Sequence, residues 1–453
     1  MKPTTLGVLI KGIADIKDTE IVINDVVTDS RKVTDSALFV AIKGENHNGH
    51  DYINDAFQRG AAACIVSNSN NSIKGLQIVV EDTKEAHILI GKNYKEQFDV
   101  TVFAITGSVG KTTTKEMVAL ILDSVGSTVK NEGNLNNEIG LPQTMFEISN
   151  ETEFTVLEMG MNELGDIRKL TLAAKPDAAI ITTIGVAHIE YLKTRENILK
   201  AKLEIVEGMN EDGILAINGD DELLLAASRD LKLKTVSFAI DNTKADVLAQ
   251  DIFAFSNSTE FTINDSRHGL LKTKLPAIGN HNIMNALSAY ALTTRMGIAP
   301  ETAVKALANY KPTGMRQNIV DYSGITIIED CYNANPDSMK AALLALSSIP
   351  VMGIRIAVLG DMLELGELTA LEHKNLVILA AACGIDVLLG YGQNMKKAMD
   401  AAIATRITDV RWFEHQKDMA DYLIKTAKSG DAVLFKASRS IKLEGVLELF
   451  YKG

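Results

Sequence analysis

Short apolar runs alternate with amphipathic stretches along most of the chain. Up to about residue 98, runs such as "IVINDVV", "ALFVAI", "ACIVS" and "QIVVE" predict strands between helical segments. From residue 99 to about 313, "TVFAIT", "FTVLEMG", "DAAIITTIG" and "GILAING" alternate with helical patterns in the same way. This order is typical of βαβ units that form a mostly parallel sheet. Four further strand-like runs follow "LANYKPTGMRQN": "ITIIEDC", "RIAVLGD", "DVLLGYG" and "DAVLFKA".

The pattern therefore predicts an α/β protein of three domains, which suits a length of 453 residues. We place a mixed α/β domain at 1–98, a central domain with a mostly parallel sheet at 99–313, and a Rossmann-like, doubly wound domain at 314–453.

Composition excludes several classes of protein. The formal net charge of −12 argues against nucleic-acid binding, which needs basic surface. The three cysteines form no CxxC pair, so neither a disulfide framework nor a zinc site is expected, and a reducing compartment fits. The N-terminal apolar run is too short for a signal peptide, and the apolar stretch 341–360 is interrupted by polar residues. We expect a cytoplasmic protein without membrane insertion.

The stretch "VFAITGSVGKTTTKEM" has the layout of a phosphate-binding loop, since a strand meets a glycine turn and then a helix. Ile105 occupies the first glycine position of the strict pattern, so the match is to the tighter segment Gly107, Ser108, Val109, Gly110, Lys111, Thr112 and Thr113. Lys111 is predicted to reach the β- and γ-phosphates, and Thr112 to bind Mg²⁺. Met117, Ile121 and Val125 predict one apolar helix face. The alternative is a chance glycine turn.

Two polar residues follow strand-like runs in the central domain. Glu158 ends "FTVLEM", where it would project at the carboxyl edge of a parallel sheet and could hold Mg²⁺. His188 follows "AAIITTIGVA" in a similar place. The alternatives are a solvated acid at a strand end and a satisfied structural histidine.

Lys202 lies on the apolar face of a predicted helix. In "ENILKAKLEIVEGM", the apolar arc consists of Ile198, Ala201, Ile205, Val206 and Met209. Lys200, Glu204 and Glu207 are predicted on the opposite face. A buried lysine must snorkel, find an anion or lose its charge. We therefore weigh snorkelling against carbamylation, which would turn the amine into a carboxylate.

Taken in order, the motifs resemble those of the Mur ligases, ATP-dependent amide-forming enzymes of peptidoglycan assembly. The resemblance spans nearly the whole chain and rests on "TDSRK", "LFVAIKGENHNGHDY", "TGSVGKTTTKE", "GNLNNEIGLP", "EMGMNELGDI", "GVAHIEYL", "AKLEI", "GNHNIMNALSAYAL", "DCYNANPDSM", "VLGDMLELGE" and "FKASRSIKLE". Within the family, "YNANPDSM" and "LGDMLELGE" look like the members that add D-alanyl-D-alanine. The Asp-Asn-Pro-Arg motif of the diaminopimelate-adding members is absent.

The resemblance implies roles for individual residues. The implied catalytic residues are Lys111, Glu158, His188 and Lys202. Thr112 and Glu158 would hold one Mg²⁺, and His188 with carbamylated Lys202 would lie at a second. The remaining nucleotide contacts would be Asn282 at adenine, with Arg316 and Asp330 at phosphate and ribose. Asn335 would lie at the same interface, or would only cap a turn.

Substrate positions are implied in the same way. Ser30, Arg31, Lys43 and Gly44 would bind the UDP end of the sugar nucleotide. Asn136 and Asn137 would support it near the reacting carboxylate. Lys436, Ser438 and Arg439 would bind the dipeptide carboxylate, or would form an exposed basic patch.

The resemblance implies a reaction that joins UDP-MurNAc-tripeptide and D-Ala-D-Ala through an acyl phosphate, with ATP and two Mg²⁺. The third residue of the tripeptide, lysine or diaminopimelate, is left open. We expect a monomer. Two rivals remain: a sister ligase, such as a folylpolyglutamate synthetase, and a P-loop NTPase that acts as a switch.

Overall fold

The computed structural model describes residues 1–44, 47–403 and 405–453. Its strands are β1 (Thr4–Thr5), β2 (Val22–Ile23), β3 (Asp25–Val27), β4 (Ala37–Val40), β5 (Ala61–Val66), β6 (Leu76–Val79), β7 (Thr101–Thr106), β8 (Thr128–Lys130), β9 (Phe154–Glu158), β10 (Ala178–Ile181), β11 (Ile214–Asn218), β12 (Lys234–Ala239), β13 (Val247–Ala254), β14 (Thr259–Asp265), β15 (Gly269–Leu275), β16 (Asn318–Tyr322), β17 (Ile325–Asp330), β18 (Arg355–Gly360), β19 (Val387–Tyr391), β20 (Asp409–Phe413) and β21 (Ala432–Lys436).

The α-helices are α1 (Leu6–Leu9), α2 (Ile53–Gln58), α3 (Thr83–Lys95), α4 (Lys111–Asp123), α5 (Gly140–Met145), α6 (Asp166–Ala174), α7 (Ile189–Leu192), α8 (Arg195–Leu203), α9 (Glu222–Ser228), α10 (Asn280–Arg295), α11 (Pro300–Leu307), α12 (Pro336–Ser348), α13 (Thr369–Ala382), α14 (Gln393–Ala398), α15 (Gln416–Thr426) and α16 (Glu444–Phe450). Among the described residues, none of these helices has the length and apolar character needed to cross a membrane.

The chain divides into two compact units. The first comprises Met1–Thr106, Leu122–Ala179 and Ala201–Leu215, and the second comprises Gly107–Ile121, Ile180–Lys200 and Ala216–Gly453. The three-domain boundaries read from the sequence stay a prediction.

The first unit contains a small parallel sheet in the order β3-β4-β5-β6. The strands β7, β9 and β8 pair in parallel in that order. Except for β8, which none of the quoted runs covers, these are strands that the apolar runs predict. The near-continuous burial of β4, β5 and β7 is typical of parallel strands covered on both faces.

The second unit ends in a six-stranded sheet in the order β16-β17-β21-β18-β19-β20. All neighbours are parallel except the edge strand β16. Alternate residues of β21 pack into two different hydrophobic clusters. Val433 and Phe435 belong to one cluster, and Ala432 and Leu434 belong to the other. Both faces of the sheet are thus buried, which confirms the doubly wound prediction.

An antiparallel meander in the second unit is absent from the sequence predictions. Strands β13, β14 and β15 pair antiparallel, and β12 pairs with β13 in parallel. Short apolar runs predict where a strand lies in the sequence, but they do not predict whether it pairs parallel or antiparallel with its neighbour.

Two details of the helix predictions are wrong. Helix α4 ends at Asp123, so Val125 lies outside it and is exposed, although Met117 and Ile121 are buried as expected. Helix α8 ends at Leu203 and a 3-10 turn follows over Glu204–Gly208. Because a 3-10 turn has three residues per turn, it turns Glu204 inward rather than onto the exposed face.

Glu204 acquires a structural role there. One of its carboxylate oxygens accepts the backbone N–H of Gly165 at 2.7 Å, and the other accepts that of Arg168 at 3.1 Å. These N–H groups lie at the start of α6, where an anion is favoured by the helix dipole.

A buried ion pair joins the end of β14 to the end of α10. Arg295 donates two hydrogen bonds to Asp265, at 3.0 and 2.8 Å, and both side chains are buried. Burial alone would raise the pKa of Asp265, but the hydrogen bonds from Arg295 and its neighbours hold it well below its usual range.

We expect Arg295→Met to lower the free energy of unfolding by about 3 to 5 kcal/mol, because it leaves a buried carboxylate without its partner. Since the folded pKa is depressed, the contribution is present above the unfolded pKa of about 4 and is lost as pH falls below it. Urea unfolding at neutral and acid pH measures both effects. Arg267→Met, at an exposed neighbour, is the control and should change little; equal stability of the two variants would contradict the assignment.

Candidate active site

The glycine turn after β7 forms a loop that leads into the start of α4. Helix α4 begins at Lys111, whose Nζ donates to the carbonyl oxygen of Gly107 at 2.8 Å. Gly107 and Gly110 have φ values of 149° and 87°. A left-handed glycine before a helix start is what a phosphate loop needs to present backbone N–H groups.

Three neighbouring hydrogen bonds hold this loop. The N–H of Ser108 donates to the carbonyl of Thr183 at 2.9 Å, and Ser108 Oγ accepts the N–H of Gly185 at 2.9 Å. Thr182 Oγ1 donates to the carbonyl of Val109 at 2.6 Å. The loop conformation is therefore fixed by the segment 182–185, which the sequence places directly before His188.

Gly110 is held too closely to accept a side chain. A Cβ built there would overlap Oδ1 of Asn285, which also accepts a hydrogen bond from Thr114 at 3.3 Å. We expect Gly110→Ala to weaken ATP binding at least about tenfold, because the residue must also keep its left-handed backbone. Isothermal titration with ATP measures this. Gly133→Ala, also left-handed but without a neighbour within 4 Å, is the control; similar losses in both variants would contradict the explanation.

His188 faces the second unit's C-terminal part. Its Nδ1 lies 2.9 Å from Oε2 of Glu364, although the contact is not a straight hydrogen bond. The interaction with His188 lowers the pKa of the Glu364 carboxyl, and burial opposes this effect. Glu364 is a site residue that the sequence analysis missed, even though the "LGDMLELGE" motif contains it.

Lys436 and Asp330 pair across the ends of β21 and β17. Lys436 Nζ lies 2.7 Å from Asp330 Oδ2 and also donates to the carbonyl of Asn333 at 3.0 Å. Lys436 and Ser438 are buried, and only Arg439 is exposed. The alternative of an exposed basic patch is thus wrong for two of its three members.

Asn335 is the N-cap of α12. Its side chain accepts the N–H of Ser338 at 2.8 Å, and Ser338 Oγ accepts the N–H of Asn335 at 3.0 Å. This reciprocal capping box confirms the turn-capping role considered from the sequence.

Several of these residues surround one cavity of about 430 Å³. It is lined by Ser108, Lys111, Ala187, His188, Asn333, Ala334, Asn335, Leu363, Glu364, Leu365, Ser438, Arg439, Ser440 and Lys442. The cavity thus brings the phosphate-loop lysine, His188 and residues of the C-terminal sheet to one place.

Asn282 and Arg316 lie in a connected group beside this region. Asn282 Nδ2 donates to Gln317 Oε1 at 2.7 Å, and His281 Nε2 lies 2.8 Å from the same oxygen. Burial lowers the pKa of His281. The Arg316 guanidinium stacks on the ring of Tyr332, 3.9 Å from its centre. Sequence analysis missed Gln317 and Tyr332, although Tyr332 lies within the quoted motif "DCYNANPDSM".

In the first unit, Glu158 is buried at the end of β9 and held by two asparagines. Asn136 Nδ2 donates to Glu158 Oε1 at 2.7 Å. Asn131 accepts the backbone N–H of Glu158 at 2.9 Å and donates to its carbonyl at 3.0 Å. The alternative of a solvated acid is therefore wrong. Asn137 Oδ1 accepts the N–H of Gly140, the first residue of α5, at 2.9 Å.

Lys202 is only 1% exposed. A snorkelling lysine keeps its ammonium in water, so the snorkelling alternative is wrong. Carbamylation stays a prediction.

The residues predicted for the UDP end are also in the first unit. Ser30 is buried at the start of a 3-10 turn, and Arg31 is exposed and binds Asp29 through two nitrogens, at 2.9 and 2.8 Å. Hydrogen bonding by Arg31 lowers the pKa of Asp29 to about 2. The N–H of Gly44 donates to the carbonyl of His47 at 2.8 Å, and Lys43 pairs with Asn48 in an isolated antiparallel bridge.

Within residues 1–44, 47–403 and 405–453, no group of three or more histidine, cysteine, aspartate or glutamate side chains is arranged to hold a metal ion. The carboxylate of Glu158 and the hydroxyl of Thr112 are nevertheless oxygen donors of the kind that Mg²⁺ prefers.

Comparison with known proteins gives three family matches in the order of the chain. The Mur ligase family catalytic domain matches residues 22–100, the Mur ligase middle domain 105–293, and the Mur ligase glutamate ligase domain 315–439. The UDP-N-acetylmuramoyl-tripeptide–D-alanyl-D-alanine ligase of Bacillus subtilis is 39% identical and covers 97% of this chain and 96% of its own. The chain belongs to the Mur ligase family.

Solved structures of Mur ligases agree in fold. The MurF of Acinetobacter baumannii has a TM-score of 0.92 at 29% identity, with all of both chains covered. The MurF of Thermotoga maritima, solved in complex with ADP, has a TM-score of 0.87 at 29% identity and covers 94% of this chain and 97% of its own. This Mur ligase is therefore an α/β, ATP-dependent amide-bond ligase.

Proposed function

We propose that the chain joins D-alanyl-D-alanine to UDP-N-acetylmuramoyl-tripeptide with ATP and so forms UDP-MurNAc-pentapeptide in peptidoglycan biosynthesis. The Bacillus subtilis relative carries this activity in its name. The observation that carries the proposal for this chain is the cavity of about 430 Å³, in which Lys111 and His188 face Ser438 and Arg439. A phosphate-binding lysine and groups suited to a carboxylate thus share one space.

The proposed reaction has two steps. A terminal carboxylate oxygen of the tripeptide attacks the γ-phosphorus of ATP, the bond to the bridging oxygen breaks, and ADP leaves. The amine of D-Ala-D-Ala then attacks the acyl carbon, the bond to the phosphate oxygen breaks, and the amine loses a proton. Two anions meet in the first step, so neutralising charge and positioning account for most of the catalysis.

The residues of the chain divide this work. Lys111 and the loop Gly107–Thr113 are assigned to the β- and γ-phosphates, whose charge the Lys111 ammonium and the start of α4 would offset. Asn282 is assigned to adenine. Arg316, stacked on Tyr332, and Asp330 are assigned to phosphate and ribose, with Asn335 at the same interface. Arg439 and Ser438 are assigned to the dipeptide carboxylate, with Lys436 behind them. Ser30, Arg31, Lys43, Gly44, Asn136 and Asn137 are assigned to the sugar nucleotide.

Mg²⁺ is part of the proposal. Thr112 and Glu158 are assigned to one ion, and His188 with carbamylated Lys202 to a second. When bound, the ions would offset phosphate charge. Glu158 suits this role because it is buried and already oriented by Asn136 and Asn131, so little ordering remains to be done on binding.

We further propose that the enzyme acts in the cytoplasm, as a monomer of three domains at 1–98, 99–313 and 314–453. Its three cysteines are free thiols, which suits a reducing compartment.

The test is ADP release by the purified chain in MgATP with neither co-substrate, with each alone, and with both. We expect sustained release only with both, together with the mass of the coupled product. Sustained hydrolysis without co-substrates would favour the NTPase switch instead. Running the assay with lysine- and diaminopimelate-containing tripeptides identifies the third residue.

A further inference from the structure

The contact between His188 and Glu364 joins two residues with unusual backbone. His188 has φ 63° and Glu364 has φ 61°, in the left-handed region that non-glycine residues seldom adopt. Such conformations are energetically unfavourable and persist where the surroundings impose them, often at functional sites. Two of them in direct contact, both lining the same cavity, indicate a built arrangement.

The loop that carries Glu364 is fixed at three successive residues. The Asp361 carboxylate accepts the N–H groups of Asn394 and Met395, at 3.0 and 2.8 Å, at the start of α14. The N–H of Met362 donates to Nε2 of His373 at 2.9 Å. The N–H of Leu363 donates to Ser438 Oγ at 3.0 Å. These contacts therefore hold the backbone that leads into the next residue, Glu364.

The segment that leads to His188 is fixed in the same manner. Three successive N–H groups, of Ile184, Gly185 and Val186, donate to side chains from three different parts of the second unit. The acceptors are Asp221 Oδ2 at 2.6 Å, Ser108 Oγ at 2.9 Å and Asp337 Oδ2 at 3.1 Å. Both partners of the contact thus stand on rigid supports.

A carboxylate beside Nδ1 has a defined effect on an imidazole. It favours the proton on Nδ1 and leaves the lone pair on Nε2, free to accept a proton or to bind an electrophile. The 2.9 Å approach of Glu364 Oε2 to Nδ1 also favours one rotation of the ring. His188 is 23% exposed at its side chain and lines the cavity, so a set orientation decides what its Nε2 faces.

We propose that Glu364 is a positioning residue for His188: it holds the imidazole in the Nδ1-protonated tautomer and orients Nε2 for the ligation reaction. Asp361, His373 and Ser438 act one step further back, by setting the conformation of the Glu364 loop. The kinetic part of this inference rests on the proposed function, whereas the tautomer part does not.

The first test is a double-mutant cycle in the ligation assay. We expect Glu364→Ala to lower kcat about 10- to 100-fold, the usual effect of removing a carboxylate behind a histidine, with little change in KM for ATP. Glu364→Gln, whose amide oxygen can still accept from Nδ1, should retain more activity than Glu364→Ala. In a His188→Ala background, Glu364→Ala should have no further effect. Effects that multiply in the double variant would overturn the proposal.

The second test needs no activity. Long-range ¹H–¹⁵N correlation spectra of the full chain, at a pH where imidazoles are neutral, report which nitrogen of each of the eight histidines carries the proton. His188→Gln assigns the signal. We expect Nδ1 protonation in the wild-type chain and a tautomer mixture in Glu364→Ala; an unchanged His188 signal would overturn the proposal.

Glu367→Gln is the matched control, because Glu367 is an exposed acid on the same loop outside the site. It should match the wild-type chain in both tests, and thermal unfolding should show all variants folded. If the wild-type chain couples no substrate, the proposed function fails and the spectra still decide the tautomer. If it is active but Glu364→Ala behaves like Glu367→Gln, this inference alone fails.

Discussion

Lys111→Ala is expected to lower kcat for ligation by about a thousandfold, an effect in the range seen when one preorganised charge-stabilising group is removed. Lys111 begins α4, and its ammonium already lies within 2.8 Å of the loop carbonyl of Gly107. It therefore stands where the phosphates would meet the loop's N–H groups. Without it, the attacking carboxylate and the γ-phosphate repel each other with less compensation.

Initial rates of ADP release and product formation at saturating substrates measure this loss. Lys111→Arg keeps the charge but alters its geometry, so it should fall between Lys111→Ala and the wild-type chain. Retention of kcat within about tenfold in Lys111→Ala would show that the loop does not serve the transferred phosphoryl group.

The second large effect is expected for Lys202→Ala, which should lose roughly a hundredfold or more in kcat. Lys202 is buried, and a buried ammonium is costly unless it is paired or converted to another group. If its amine has reacted with CO₂ to give a carbamate and a proton, the side chain carries a carboxylate. Alanine would then remove an anion and leave a small space.

Short carboxylates or bicarbonate should restore part of the activity of Lys202→Ala, since they can supply the missing anion in that space. Lys200→Ala is the matched control, because Lys200 lies on the same helix, two residues away, and is exposed. Full activity of Lys202→Ala, or a loss shared by Lys200→Ala, would contradict the carbamate prediction.

Local chemistry explains which predictions were possible. The sequence alone predicts the strand–glycine–helix order around Lys111, because consecutive residues form it. The same holds for the acid that ends β9. Lys202 was found because a charge interrupts an apolar face. Each of these signals spans less than about two helical turns.

Contacts between distant segments could not be predicted in this way. Gln317 accepts a hydrogen bond from Asn282, which lies 35 residues earlier in the chain. Glu364, which follows β18, contacts His188, which follows β10. Glu204 was misplaced because the change from α to 3-10 geometry at Leu203 leaves no trace in the apolar pattern. For Lys436 the alternative of an exposed basic patch stayed open beside the predicted dipeptide site, because its partner, Asp330, lies 106 positions earlier.

That last pair has a consequence for recombining relatives. Asp330 and Lys436 are register partners on adjacent parallel strands, and each neutralises the other out of water. Replacing only one of these two residues would leave the other as a buried charge without its partner. Chimaeras should therefore be cut before residue 318 or kept to whole-sheet swaps, and natural drift at either position should be matched by compensating drift at the other.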